Sequence, residues 1–333
     1  MDSAAPLPTP PHGGNLTEAR LRFPDAPEPF LDLSTGIAPR AYPLPPLLPE
    51  TFTRLPEPAL AAALCRLAGQ RYGVPDGARV VAAPGTQILL PMIAGLRPPG
   101  RARILGPTYA EHARAAVLAG HETREVGALA ALAPADLITV VNPDNPTGRV
   151  LPAETLAMLA AQQGAAGGLL VVDEAFWDAA PELPTALPLV AGGNVVVLRS
   201  FGKFHGLAGL RLGFAVAAAP IADRLAALLG PWAVAGPALQ AGLAALADDG
   251  WAATQRAHLR AAAARLDRVL AERALAVLGG TPLFRFVAAP PGTFERLGRA
   301  GILVRSFAQW PDRLRIGLPG DAAGFARLAA ALA

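Results

Sequence analysis

Six short runs between residues 78 and 218 constrain the fold of this chain more than any other feature: ARVVAAP, RARILGP, ADLITVVNP, GGLLVVDEAF, NVVVLRSF and LRLGFAVAA. Each is apolar along its whole length rather than at every second residue. A strand of that kind has both faces covered, as when helices pack on the two sides of one sheet. Helical patterns separate the first four runs, at GTQILLPMIAGL, TYAEHARAAVLAG and PAETLAMLAAQQ. Strand alternating with helix predicts an α/β fold: a mostly parallel sheet between two helical layers. The LRLGFAVAA run follows soon after NVVVLRSF, so at least one antiparallel pair is expected.

The flanks read differently. Residues 1 to about 30 are rich in Pro and polar groups and predict an extended arm, with HGGN at 12–15. Residues 31–58 are punctuated by prolines and can hold little regular structure, and a helix follows over 58–72. Beyond 220, helices are expected at 221–230, 237–248 and 251–277. TPLFRFVAA, a helix near 292–300, GILVRSF, DRLRIGLP and AGFARLAAALA then suggest a small α+β unit. The division that follows is an arm at 1–35 joining the small domain, a large domain at 36–225 and a small domain at 226–333.

Composition excludes several classes. Hydrophobic residues are 52% and charged ones 17%, enough for a large core. The net charge of +3 comes with no basic run, so no nucleic-acid footprint is expected. A single cysteine, Cys65, rules out an intrachain disulfide and any multi-cysteine metal site, and no metal is expected. No signal-peptide pattern and no membrane-span pattern are visible, which points to a cytoplasmic protein.

Chemistry gathers where the apolar runs end. Lys203 is the only lysine among 29 Lys and Arg. It sits between glycines just after a strand. A lysine is ordinarily a solvated surface group, but arginine cannot replace it in amine chemistry, because the guanidinium stays protonated. Asp173 ends LLVVD, where a carboxylate can serve as metal ligand, base or helix cap. Glu174, its neighbour, points to the other face and reads as structural. Asn145 in NPDNPTG makes a turn whether or not it has a further role. Gly85 and Thr86, with Gln87, open a helix after a strand, a ready anion site. Ser200 and Arg211 flank the lysine and can donate to the same anion. Tyr109 follows another strand and can stack on a flat ring or simply pack. Together these supply an amine, an anion site and polar partners for a ring along successive strand ends.

The signatures NPDNPTG (142–148), VVDEAF (171–176) and SFGKFHGLAGLRLG (200–213) resemble the class I/II aminotransferase superfamily of fold-type I pyridoxal-phosphate enzymes, over nearly the whole chain. HGGN, LDLSTGIAP and PTYAEH are similar to the threonine-phosphate decarboxylase family within it. The resemblance implies the pyridoxal-phosphate-dependent transferase fold and pyridoxal 5'-phosphate as cofactor. It implies Lys203 as the Schiff-base lysine, Asp173 on the pyridinium nitrogen and Asn145 on the ring oxygen. Tyr109 would stack on the ring, and Gly85, Thr86, Ser200 and Arg211 would hold its phosphate. Arg315, preferred over Arg313, would grip the substrate carboxylate. His12 and Asn15, with the backbone of Gly13 and Gly14, would receive the substrate phosphate. Two hydroxyls common in relatives are missing: Phe176 stands three residues after Asp173, and Leu55 stands where an arm tyrosine reaches a neighbouring subunit.

The resemblance further implies decarboxylation of L-threonine O-3-phosphate to (R)-1-aminopropan-2-yl phosphate in cobalamin biosynthesis. A homodimer follows, with a link to the cobinamide/cobalamin synthase step. The nearest rival is an aminotransferase of the histidinol-phosphate type. A noncatalytic binding protein on the same fold is a second alternative.

Overall fold

The computed structural model describes residues 12–333. The first eleven residues of the expected arm lie outside the described residues. A two-residue strand, β1 (Leu31–Asp32), precedes the large sheet of β2 (Ala78–Ala83), β3 (Arg101–Leu105), β4 (Glu122–Val126), β5 (Leu137–Val141), β6 (Leu169–Asp173), β7 (Val195–Ser200) and β8 (Gly213–Ala218). The order across that sheet is β2-β8-β7-β6-β5-β3-β4. Only β8 runs against its neighbours, pairing antiparallel with both β2 and β7. The C-terminal ends of β2, β3, β5, β6 and β7 therefore share one edge with the start of β8.

The uninterrupted apolar pattern has the physical cause expected of it. Leu170, Val172 and Val197 face one core, with Leu64, Leu156 and Leu159 from helices Pro58–Tyr72 and Ala153–Ala165. Leu169, Val171 and Val196 face the other, with Leu89, Ala115 and Leu225. Alternate side chains thus enter different cores. Each buried Val or Leu contributes about 1.5–3 kcal/mol, and a charge at Val171 or Val172 would be stranded on either side.

β4 was not expected. Its sequence, ETREV, is mostly polar because it closes the sheet with one neighbour only, β3. Edge strands carry charge where interior ones cannot. The arm also departs from its extended reading: Leu16–Arg22 is a helix, capped by Asn15, whose side chain accepts from the Glu18 N–H. N-L-T-E is a capping-box spacing, a signal present in the sequence.

The second sheet comprises β9 (Val277–Thr281), β10 (Phe284–Ala288), β12 (Arg305–Phe307) and β13 (Trp310–Gly317) in the order β12-β13-β10-β9, antiparallel throughout. TPLFRFVAA is therefore a hairpin turn plus one strand, and the long helix expected to reach 277 stops at Glu272. β11 (Ile302–Leu303) pairs in parallel with β1, tying the N-terminal segment to the C-terminal region. The segment then crosses to the lysine loop, where Ala38 and Tyr42 N–H donate to the carbonyls of Lys203 and His205, each at 2.8 Å.

Candidate active site

Two adjoining cavities open at the shared strand edge. The inner one, of about 160 Å³, is lined by Gly85, Thr86, Tyr109, Asn145, Asp173, Ser200, Lys203 and Arg211, together with Gln87 and Phe176. All eight residues expected around a cofactor meet there. The outer one, of about 390 Å³, is lined by His12, Gly13, Thr35, Arg305, Gln309 and Arg315, and shares Tyr109, Asn145, Lys203 and Arg211 with the first.

Lys203 lies at the junction of the two. Its Nζ has no hydrogen bond or ion pair among the described residues and lies over the Phe176 ring, 5.7 Å from the centroid. Burial, then Arg315, pushes its ammonium down to about 8. A desolvated amine whose ammonium is held down to about 8 is suited to attack a carbonyl.

Asp173 ends β6 with its carboxylate held from two sides. His112 Nε2 lies 2.9 Å from Oδ2, and the Ala175 N–H donates to Oδ1 at 3.0 Å. His112 was not anticipated, although PTYAEH places it three residues beyond Tyr109, in the first turn of the helix Glu111–Leu118. The neighbouring Glu174 points away, as its structural reading requires. It pairs with Arg199 at 2.7 Å with both side chains wholly buried, and accepts from Thr185 Oγ1 and the Ala186 N–H. Burial raises the Glu174 carboxyl, with Arg199 opposing.

Asn145 accepts a hydrogen bond on Oδ1 from the Arg315 guanidinium. Only a carbonyl oxygen can accept from that donor, so the amide orientation is fixed and its NH2 is left for another acceptor. The Tyr109 hydroxyl donates to Gln87 Oε1 at 3.0 Å, and burial, then Glu111, pushes it up to about 12. The ring thus remains a neutral phenol.

The anion end of the inner cavity is a cradle that a side chain would fill. A Cβ on Gly85 would lie 2.6 Å from Arg211 Nη2, and one on Gly213 would lie 2.7 Å from the Thr86 backbone nitrogen. Arg211 itself holds φ +53°, a conformation costly for a side chain and one that clusters at functional sites. Ser200 Oγ has no partner among the described residues. A flat ring with an attached phosphate, a basic ring nitrogen and a carbonyl for Lys203 fits this donor set.

The outer cavity is charged by two strands. Arg305 on β12 stands opposite Arg315 on β13, so two guanidinium side chains border the space. Arg315 is buried, donates to the Ser34 carbonyl at 2.6 Å and is pushed down to about 10, by burial first and Arg305 second. Burial also lowers Arg305. Arg305 was not anticipated: in GILVRSF it is one arginine of 28 with no motif to mark it. Arg313 stays at the solvent side, over the Trp310 ring at 5.4 Å, and does not line the cavity.

The arm supplies less than expected. His12 and Gly13 line the outer cavity, but Gly14 and Asn15 do not. The Gly14 N–H donates to Ser34 Oγ at 2.7 Å, and the exposed Asn15 is spent on capping the arm helix. Leu55, at the position of the missing arm tyrosine, is 65% exposed.

Residues 50–332 match the family model Aminotransferase class I and II. A threonine-phosphate decarboxylase from a Sinorhizobium species is 46% identical over 97% of this chain and 97% of its own, and one from Pseudomonas aeruginosa is 44% identical over 96% of each. The crystal structure of histidinol-phosphate aminotransferase from Sinorhizobium meliloti in complex with pyridoxal-5'-phosphate superposes with a TM-score of 0.82, covering 100% of this chain and 97% of that one at 23% identity. The last likeness establishes the fold alone; the family match and the two near-full-length relatives establish that this chain belongs to the class I and II aminotransferase family, in its threonine-phosphate decarboxylase branch.

Proposed function

We propose that this protein decarboxylates L-threonine O-3-phosphate to (R)-1-aminopropan-2-yl phosphate and carbon dioxide, with pyridoxal 5'-phosphate, in cobalamin biosynthesis. The observation that carries the reading is the identity of 44–46% over nearly the whole chain to two relatives that bear the decarboxylase name. The pair of cross-strand arginines agrees with it, because the substrate brings two anionic groups, a carboxylate and a phosphate.

Bound pyridoxal phosphate supplies an electron sink for the pair left at Cα as carbon dioxide departs. The residues do the rest. Lys203 anchors the cofactor through its amine. Asp173, braced by His112, supplies the negative charge that keeps the ring nitrogen protonated. Asn145 gives its NH2 to the ring oxygen. Tyr109 covers the ring, and Gly85, Thr86, Ser200 and Arg211 take the cofactor phosphate. Arg315 grips the substrate carboxylate and orients it for cleavage. His12, the backbone of Gly13 and Arg305 take the substrate phosphate. Nζ of Lys203 returns the proton to Cα.

The same reading implies a cytoplasmic homodimer whose product passes to the cobinamide/cobalamin synthase step. Among the described residues no helix is long and apolar enough to cross a membrane. Exposed Leu48, Phe52, Leu55 and Trp232 give a second copy apolar surface to cover. The division at residues 35 and 225 belongs to this reading too, with the large sheet within 78–218 and the second sheet within 277–317.

The test is direct. Protein loaded with cofactor is mixed with L-threonine phosphate, and carbon dioxide and aminopropanol phosphate are measured. Transfer of the amino group of histidinol phosphate to 2-oxoglutarate, giving glutamate, without carbon dioxide release from threonine phosphate, would overturn the reading in favour of an aminotransferase.

A further inference from the structure

Glu111 is the first residue of the helix Glu111–Leu118, yet it is only 4% exposed. A buried carboxylate needs partners, and its partners come from three places. Oε1 lies 3.1 Å from His12 Nε2, ninety-nine residues away in sequence. Oε2 accepts from Gln87 Nε2 at 2.7 Å and lies 3.5 Å from Arg114 NH1. Gln87 in turn accepts from the Tyr109 hydroxyl.

The chemistry of these contacts is directional. An ionised carboxylate has no proton to give, so both Gln87 and His12 must donate to it. That fixes the Gln87 amide with its carbonyl towards Tyr109, and it fixes which ring nitrogen His12 presents to Glu111. The His12 and Tyr109 rings lie 5.7 Å apart between these anchors. The four residues 109–112 at the start of one helix thus serve three parts of the site: Tyr109 faces the inner cavity, Glu111 holds the arm, and His112 holds Asp173.

We propose that Glu111 is a positioning residue: it fastens the N-terminal segment at His12 and the ring of Tyr109 to one buried carboxylate, so that the substrate-phosphate side and the cofactor side of the site are set together. The inference rests on the reading above, in which His12 meets the substrate phosphate. Glu111 itself lines neither cavity and touches no reacting atom.

Limited trypsin digestion of the cofactor-loaded protein, with no substrate added, tests the latch by itself, because Arg20 and Arg22 lie in the arm helix with side chains about half exposed. Loss of a hydrogen bond to a charged group predicts roughly tenfold faster cleavage at these two sites in Glu111→Ala and in His12→Ala. The double variant should be no faster than either single one, since both remove the same contact. Faster cleavage at every arginine of Glu111→Ala would signal general unfolding; Glu111→Gln, which keeps the volume, then decides by the same two sites. In turnover, KM for L-threonine phosphate should rise about tenfold with kcat falling by no more than about threefold. Unaltered cleavage at Arg20 and Arg22 in both Glu111 variants, or additive effects in the double variant, would overturn the latch. Neither result depends on whether the chain releases carbon dioxide, so the latch and the decarboxylase reading can fail separately.

Discussion

The inner and outer cavities share Lys203, Asn145, Tyr109 and Arg211 but are built from different material. The inner one is made from the ends of five strands of one sheet, with its acid held by two hydrogen bonds and its anion cradle shaped by close approach at Gly85 and Gly213. The outer one is assembled from the arm, the segment near Thr35 and two strands of the second sheet. The contrast separates what the chemistry needs from what the substrate needs. A sheet edge holds a cofactor rigidly. Segments drawn from distant parts of the chain select what reaches it.

The hardest blow to the inner side is Lys203→Arg. Charge and length are kept but the amine is lost, so the visible, borohydride-reducible absorption of attached cofactor should vanish and turnover should fall by at least about 10²–10⁴-fold. Retained absorption in that variant would break the assignment of the anchor. The wild-type lysine also sets a pH dependence. Its pKa is pushed down to about 8, so the neutral amine is the minority form below that pH and the majority above it. The rate of cofactor attachment to apoprotein should rise about tenfold per pH unit up to about 8 and level off beyond. A plateau beginning only near the ordinary lysine value would show that burial does not act on Nζ as described.

On the shared boundary, Arg315→Lys is expected to come next. Lysine keeps the charge but loses the fork that reaches both Asn145 and the Ser34 carbonyl. KM for L-threonine phosphate should rise by about 10–100-fold, the loss of a charge-assisted hydrogen bond. The absorption of bound cofactor should persist, which distinguishes this variant from Lys203→Arg.

The same contrast explains how much could be read in the sequence. Strands buried on both faces, such as LITVV and LLVVD, announce themselves, and residues that follow them must fall on one edge. Hence Asp173, Asn145, Lys203 and Tyr109 converge as their positions in the chain imply. β4 escaped because an edge strand has no reason to be apolar. The arm helix escaped because prolines dominate its surroundings, although Asn15 and Glu18 carried the cap. Arg305 escaped for a different reason: its role comes from facing Arg315 across two strands, and that register is written in hydrogen bonds rather than in any motif. His112 and Glu111 escaped because their partners, Asp173 and His12, are far away in sequence.

The outer side predicts smaller effects, which the two halves of HGGN separate. His12 lines the cavity and contacts Glu111, so His12→Ala should raise KM for L-threonine phosphate about tenfold, again the scale of one hydrogen bond to a charged group. Threonine without its phosphate should be handled almost equally by wild type and variant if His12 takes the substrate phosphate as proposed.

Asn15→Ala tests the other half of the motif and should have the smallest effect. Its side chain caps the helix Leu16–Arg22 through the Glu18 N–H at 3.1 Å and holds the Glu18 carboxylate at 3.0 Å. Removing such a cap costs about 1 kcal/mol, felt locally by a seven-residue helix at the chain's edge. Trypsin should therefore cut faster at Arg20 and Arg22, while KM changes by less than about threefold, within a loss of one cap. A tenfold rise in KM for Asn15→Ala, equal to that for His12→Ala, would mean that Asn15 turns inward to the phosphate when substrate binds. The boundary between arm and cavity would then lie beyond Asn15 rather than at Gly13.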